Sequence, residues 1–244
     1  MNHTNKYLNE FLRIFDSLCV NHNRWDAWSD FVTMTAINIS NTTDSANAPT
    51  REETYRSLAA KYTSHENDLM AKMLAQLVCT LDENPNQDFL GKFYMDCKFG
   101  DTRAGQFFTP YNVCKMMSEM NFGSLEFEQE SFVSVNDPTC GSCAILIAFA
   151  NVCKEHNIDY HQKVLFVGQD IDRIVALMGY IQLSLLGCAG YVIVGDSLAE
   201  PAVSYDEKGL LPAVNKENVW YTPMFSSATW SIRKEFAKLG LYFH

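Results

Sequence analysis

Three acidic residues stand where apolar runs stop. Asp137 follows Phe132-Val133-Ser134-Val135, Asp170 follows Val164-Leu165-Phe166-Val167-Gly168, and Asp196 follows Tyr191-Val192-Ile193-Val194-Gly195. Short apolar runs alternating with helical patterns predict a parallel sheet with right-handed crossovers. In open sheets of that kind, ligands bind outside the carboxyl ends of the strands. An acid ending the second strand suits the hydroxyls of a ribose, and one ending the third can accept from an adenine amino group. Any one of these acids reads as a solvated loop residue; three at successive strand ends point to one site. Between the first strand and its helix, Asp137-Pro138-Thr139-Cys140-Gly141-Ser142 is a tight turn whose backbone N–H groups would face a carboxylate or phosphate. Asp172 reads differently, as the N-cap of the following helix.

Cys140-Gly141-Ser142-Cys143 at a helix start is also the spacing of a redox dithiol. Its neighbours are not those of a thioredoxin-like motif, and no second pair of matching spacing supports a zinc site. No metal is expected. The remaining cysteines sit inside apolar patterns, where a thiol acts as a small hydrophobe.

The elements that must position these residues divide in two. Residues 1–104 read as a helical region, with Tyr7, Leu8, Phe11, Leu12, Phe15 and Leu18 at helical spacing, as are Leu69, Met70, Met73, Leu74 and Leu77. Thr50 with Glu53 fits a capping box after the polar loop 40–50. Residues 105–244 read as an α/β unit with about four parallel strands, the fourth at Val219-Trp220-Tyr221, then a last helix through Trp230, Phe236 and Leu239. Thr109 is a natural N-cap for a helix with Val113, Met116, Met117 and Met120 on one face.

Composition bounds the function. The chain has 244 residues, 47% hydrophobic and 20% charged, which suits a globular protein with a sizeable core. Its longest apolar run, Cys143 to Ala150, is eight residues, too short for a membrane span. No secretory leader is visible at the N-terminus, so a cytoplasmic protein is expected. The net charge of -10 argues against holding DNA without help, because phosphate contacts need a basic face. One stretch differs: 208–244 carries five Lys/Arg against two Glu.

Four motifs in order resemble those of a known family. Gly105-Gln106-Phe107-Phe108-Thr109-Pro110, Asp137 to Ser142, Gly168-Gln169-Asp170-Ile171-Asp172, and Gly195-Asp196-Ser197 look like the successive motifs of N6-adenine DNA methyltransferases. They are most similar to the modification subunit of type I restriction systems. The resemblance implies a Rossmann-like class I methyltransferase sheet, here truncated, and S-adenosylmethionine as cofactor. It places Phe108, Thr109 and Pro110 against the methionine part. Asp137, Pro138, Thr139, Gly141 and Ser142 would face its amino-acid end, Asp170 and Ile171 the ribose, and Asp196 and Ser197 the adenine.

Two departures from the family stand out. Cys143 occupies the place of a second glycine, which would put a side chain where the cofactor needs close approach. For the catalytic Asn/Asp-Pro-Pro-aromatic tetrapeptide the chain offers Thr222-Pro223-Met224-Phe225, keeping one proline and the aromatic. Thr222 would then stand for the amide that accepts hydrogens from the adenine amine, and Phe225 for the ring that stacks on the flipped base. Two functions follow. The chain is either an adenine-N6 DNA methyltransferase working with a recognition partner or as an oligomer, or a degenerate relative that binds the cofactor and regulates or assembles with another protein. Self-association, or association with a second chain, is expected at the sheet edge near 219–221 and around Trp230 and Phe236.

Overall fold

A computed structural model of the protein describes residues 3–100, 108–125, 127 and 129–241. The boundary expected between 104 and 105 lies outside the described residues. Helices α1 (His3–Leu18), α2 (Arg24–Ser40), α3 (Ala48–Ala59), α4 (Ser64–Glu83) and α5 (Phe89–Asp96) form the first region. Then come α6 (Tyr111–Phe122), β1 (Val133–Asp137), α7 (Ala144–Glu155), α8 (Tyr160–Lys163), β2 (Val164–Asp170), α9 (Arg173–Leu185), β3 (Ala189–Val194), β4 (Val219–Tyr221) and α10 (Ala228–Lys238).

Local sequence explains the helix starts, with two corrections. A capping box does open a helix, but it is Thr63 with Glu66 at α4: each side chain bonds the other's backbone N–H. Thr50 instead lies inside the first turn of α3, which Pro49 opens. Likewise α6 starts at Tyr111, with Pro110 in the cap position and no side-chain bond from Thr109. Asp172 caps α9 as expected, accepting from Ile174 N at 2.9 Å and Val175 N at 3.2 Å.

The helical region buries its apolar faces on the sheet unit. Phe11, Phe15, Trp28 and Phe93 meet through ring contacts, and one continuous core runs from them through Leu90, Ile147 and Tyr180 to Val192 and Trp220. Helix α9 packs on α2, and α6 packs on α7. The Val113, Met116, Met117 and Met120 face of α6 is exposed among the described residues rather than packed.

The sheet has the order β1-β2-β3-β4. The first three strands are parallel, but β4 pairs with β3 antiparallel, with Val192 opposite Trp220. The expectation of a fourth parallel strand is therefore corrected. A parallel neighbour needs a crossover, usually a helix, to carry the chain back to the amino end. Between β3 and β4 the chain forms loop, an isolated bridge of Ser204 with Pro212 and a 3₁₀ turn at Lys216–Asn218, with no crossover helix, so β4 starts at the end where β3 stops.

The edge expected to be open is covered. The Arg51 guanidinium lies 3.8 Å from the centre of the Trp220 ring, donates to Val219 O at 2.9 Å, and is paired with Asp44 at 2.9 Å. The Tyr180 hydroxyl donates to Tyr221 O at 3.2 Å. Trp230 is fully buried and donates from Nε1 to His161 O at 2.7 Å. These contacts bury Trp220 and Trp230 within the chain. No described helix is long and apolar enough to cross a membrane.

Candidate functional site

The turn after β1 is fastened to the carboxyl end of β2. Cys140 N donates to Gln169 O at 2.8 Å, and Gly141 N donates to Asp170 Oδ2 at 2.9 Å. Gly141 has φ of 55°, a left-handed conformation that glycine adopts without strain. The other Asp170 oxygen accepts from Asp172 N at 2.9 Å, so the carboxylate is held by two backbone donors and keeps free lone pairs. Asp137 Oδ1 accepts from Thr139 N at 3.1 Å. Burial pushes both Asp137 and Asp170 above the ordinary aspartate range, and the Asp170 charge adds to the rise at Asp137. Two partly dehydrated carboxylates in one cleft favour a cation or hydroxyl donor placed between them.

The third strand brings its acid to the same edge. Gly195 N donates to Asp170 O at 2.9 Å, aligning the ends of β2 and β3. Asp196 is exposed and accepts from Leu198 N at 2.9 Å, with Ser197 beside it half-buried. Ile171 leaves 69% of its surface in water next to Asp170, an apolar face without a protein partner to cover it. Gln169 is fully buried, donating to Glu200 O at 2.8 Å, and its Oε1 has no partner among the described residues.

Phe108 walls the turn from the other side. Its ring stacks on Tyr94 at 5.4 Å and lies 3.4 Å from where a Cβ on Gly141 would stand. Thr109 and Pro110 are exposed beside it, as are Pro138 and Thr139. A cavity of about 80 Å³ lies among Phe108, Thr109, Asp137, Thr139 and Gly141. Gly105, Gln106 and Phe107 lie outside the described residues.

Cys143 is corrected, and Ser142 keeps its place with its hydroxyl turned away. Ser142 lines the cavity beside Gly141 but is buried, its hydroxyl donating inward to Asp88 Oδ2 at 2.5 Å. Asp88 also accepts from Gln182 Nε2 at 2.8 Å and Gly91 N at 2.9 Å, while Gln182 donates to Ser142 O at 3.1 Å. Sequence reasoning missed Asp88 and Gln182. The available signals were an acid directly before Phe89-Leu90 and a Gln on the apolar face of α9. Cys143 adopts the left-handed conformation of the glycine it replaces, with φ of 66°, but its side chain points into the core against Gly168 and Gly179. It does not block the cleft. Its thiol is pushed well up by the hydrogen bond with Cys140 and by burial, which disfavours the thiolate a redox dithiol needs.

This packing has a measurable consequence. A Cβ at position 179 would lie 2.4 Å from Cys143 Sγ and 3.2 Å from the Ser142 carbonyl carbon. Gly179→Ala is expected to destabilise the protein by ~1–3 kcal/mol, as overpacking does. Adding Cys143→Gly should recover most of that loss in urea unfolding. No recovery would place the clash on the turn backbone.

Thr222 is not at this site. Because β4 is antiparallel, its carboxyl end meets the amino end of β3, opposite the three acids. Thr222 is fully buried; its hydroxyl donates to Cys188 O at 2.7 Å and accepts from Gly190 N at 3.0 Å. Pro223 opens a 3₁₀ turn, and Phe225 is buried against Tyr191, Tyr221 and Trp230. Strand direction thus carries Thr222, Pro223 and Phe225, expected as catalytic, away from the three acids and buries Thr222 and Phe225 as a joint. Thr222→Val is expected to cost ~1–3 kcal/mol by leaving two buried backbone groups unpaired. Thr222→Asn should likewise destabilise and create no methylation in an assay with tritiated cofactor.

A glycine turn pinned to the second of three parallel strands, with acids at all three carboxyl ends, defines an open α/β sheet of the kind that takes its ligand at the strand ends. The N-6 DNA methylase family model matches residues 87–238, more than half of the chain, and the protein belongs to that family. Among solved structures, one match is a Listeria monocytogenes protein titled a class I S-adenosylmethionine-dependent methyltransferase. It has 15% identity and a TM-score of 0.44, over 82% of this chain and 56% of that one. The chain thus spans about half the length of that structure. No curated protein matches it.

Proposed function

We propose that the chain binds S-adenosylmethionine at the carboxyl ends of β1, β2 and β3 and does not methylate DNA by itself. The observation that carries this is the Asp170 carboxylate, held by Gly141 N and Asp172 N with acceptor sites to spare beside the exposed Ile171. Asp170 would accept from the ribose hydroxyls and Ile171 would cover a face of the adenine. Asp196, with Ser197 beside it, would accept from the adenine amine. Asp137, Pro138, Thr139 and Gly141 would meet the amino-acid end, where the cofactor's ammonium suits the Asp137 carboxylate. Phe108, Thr109 and Pro110 would flank the methionine chain. Bound there, the cofactor supplies an electrophilic methyl group.

Transfer to an adenine N6 also needs acceptors that hold the amine in line, and positioning of this kind dominates such catalysis. Thr222 is spent on β3 and cannot serve. Methyl transfer would therefore need groups from a partner or another copy. Membership in the N-6 DNA methylase family supports DNA adenine as the target of that assembly. The net charge of -10 supports a basic recognition partner that delivers the DNA. Titration calorimetry with S-adenosylmethionine and its demethylated product is the test, beside tritiated methyl transfer to mixed-sequence DNA. Heat of binding without methylation is expected. No heat at millimolar cofactor would remove the reading. Robust methylation by the chain alone, abolished by Asp170→Ala, would make it an enzyme in its own right.

A further inference from the structure

The basic stretch 208–244 has a structural outcome that the cofactor site does not use. Two of its five cations are engaged elsewhere: Lys208 pairs with Glu130, and Arg233 donates to Ser131 O and Gln162 O. The other three, Lys216, Lys234 and Lys238, line one cavity of about 510 Å³ between the α2–α3 loop, β4 and α10. Lys234 donates to Phe225 O at 2.9 Å and lies 4.2 Å from that ring's centre; it has no carboxylate partner among the described residues. Lys216 has no side-chain partner among them either, and Lys238 bonds Glu235 at 2.7 Å. The acid that lines the cavity, Asp44, is neutralised by Arg51 at 2.9 Å. Burial holds the Lys234 amine below its ordinary range, a cost that an anion beside it would reverse. The wall is aromatic: Tyr221 and Phe225 stack at 5.9 Å and 14°, and Tyr205 stands 82% exposed at the mouth.

We propose that this cavity binds a nucleotide, its phosphates on Lys216, Lys234 and Lys238 and its base against Tyr205 and Tyr221. Three amines around one cavity, two of them without a carboxylate partner among the described residues, favour an anion, and ring walls favour a flat apolar body. The volume lies in the range of small-ligand pockets and accommodates one nucleotide. A chain with net charge of -10 repels a long polyanion beyond the pocket, which favours the monomer over a strand. No lining residue is shared with the cleft around Asp137 and Gly141, so the proposal stands apart from the cofactor reading.

Calorimetry with ATP, in the presence of saturating S-adenosylmethionine, tests it. Binding should persist with the cofactor present and weaken at least tenfold in Lys216→Met/Lys238→Met, two exposed positions whose loss leaves the fold intact. Tyr205→Ser should weaken ATP but not inorganic phosphate. Lys234→Met should weaken ATP further where the variant unfolds as the wild type does. The proposal is overturned by no heat at millimolar ATP, by heat unchanged in the lysine variants, or by heat lost with cofactor or in Asp170→Ala. Tighter, steeply salt-dependent binding of a short oligonucleotide would overturn it in favour of a strand.

Discussion

Asp88→Ala should lower the unfolding free energy by ~3–5 kcal/mol, because three buried donors would lose their acceptor together and such losses couple. The Ser142 hydroxyl, the Gln182 amide and the Gly91 N–H all converge on this carboxylate, which burial pushes above its ordinary range. The carboxylate is closely packed on the backbone, since a Cβ on Gly91 would stand 2.0 Å from Asp88 Oδ2. The loss should reach the cleft, because Ser142 follows Gly141, whose N–H holds Asp170. Calorimetry below the new melting temperature should therefore show weakened S-adenosylmethionine binding. Asp82→Ala, at an exposed position near the end of the preceding helix, should change stability by no more than ~0.5 kcal/mol. If Asp88→Ala and Asp82→Ala unfold at the same urea concentration, the network contributes nothing measurable.

Asp170→Ala should weaken S-adenosylmethionine by ~10–150-fold, the equivalent of ~1.5–3 kcal/mol for hydrogen bonds to a charged group. The variant would remove the proposed ribose acceptor and also frees Gly141 N and Asp172 N, so of the turn's two bonds to β2 the one from Cys140 N to Gln169 O remains. Asp170→Asn, which keeps one acceptor oxygen, should fall between the two. The wild-type affinity should drop on acidification, with a midpoint above the ordinary aspartate range, because ribose donors need the ionised form. Stability runs the other way. A carboxyl whose folded-state pKa is raised binds more protons folded than unfolded, so its contribution is full at low pH and lost as pH rises through the folded value. Titrations at several pH values separate the two effects. An affinity indifferent to Asp170→Ala would place the cofactor elsewhere.

Much of the cleft was legible because its signals are local. Apolar runs of strand length ending in Asp137, Asp170 and Asp196 are written along the chain, and a βαβ connection can place such ends only on one edge. The glycine at 141 and the cap at Asp172 follow from backbone requirements of single turns. The direction of β4 was not legible, since Val-Trp-Tyr reads the same in either sense. It was settled by a connection that forms no crossover helix, and that reversal turns Thr222 from a candidate acceptor into a buried joint on Gly190. The fate of Ser142 was equally hidden, because its partners Asp88 and Gln182 lie 54 and 40 residues away. Cys143 could be seen to break the glycine pattern, but only packing against Gly168 and Gly179 showed which way its thiol turns. The five cations of 208–244 are plain in the sequence; that three of them meet around one cavity is a property of the packed chain alone.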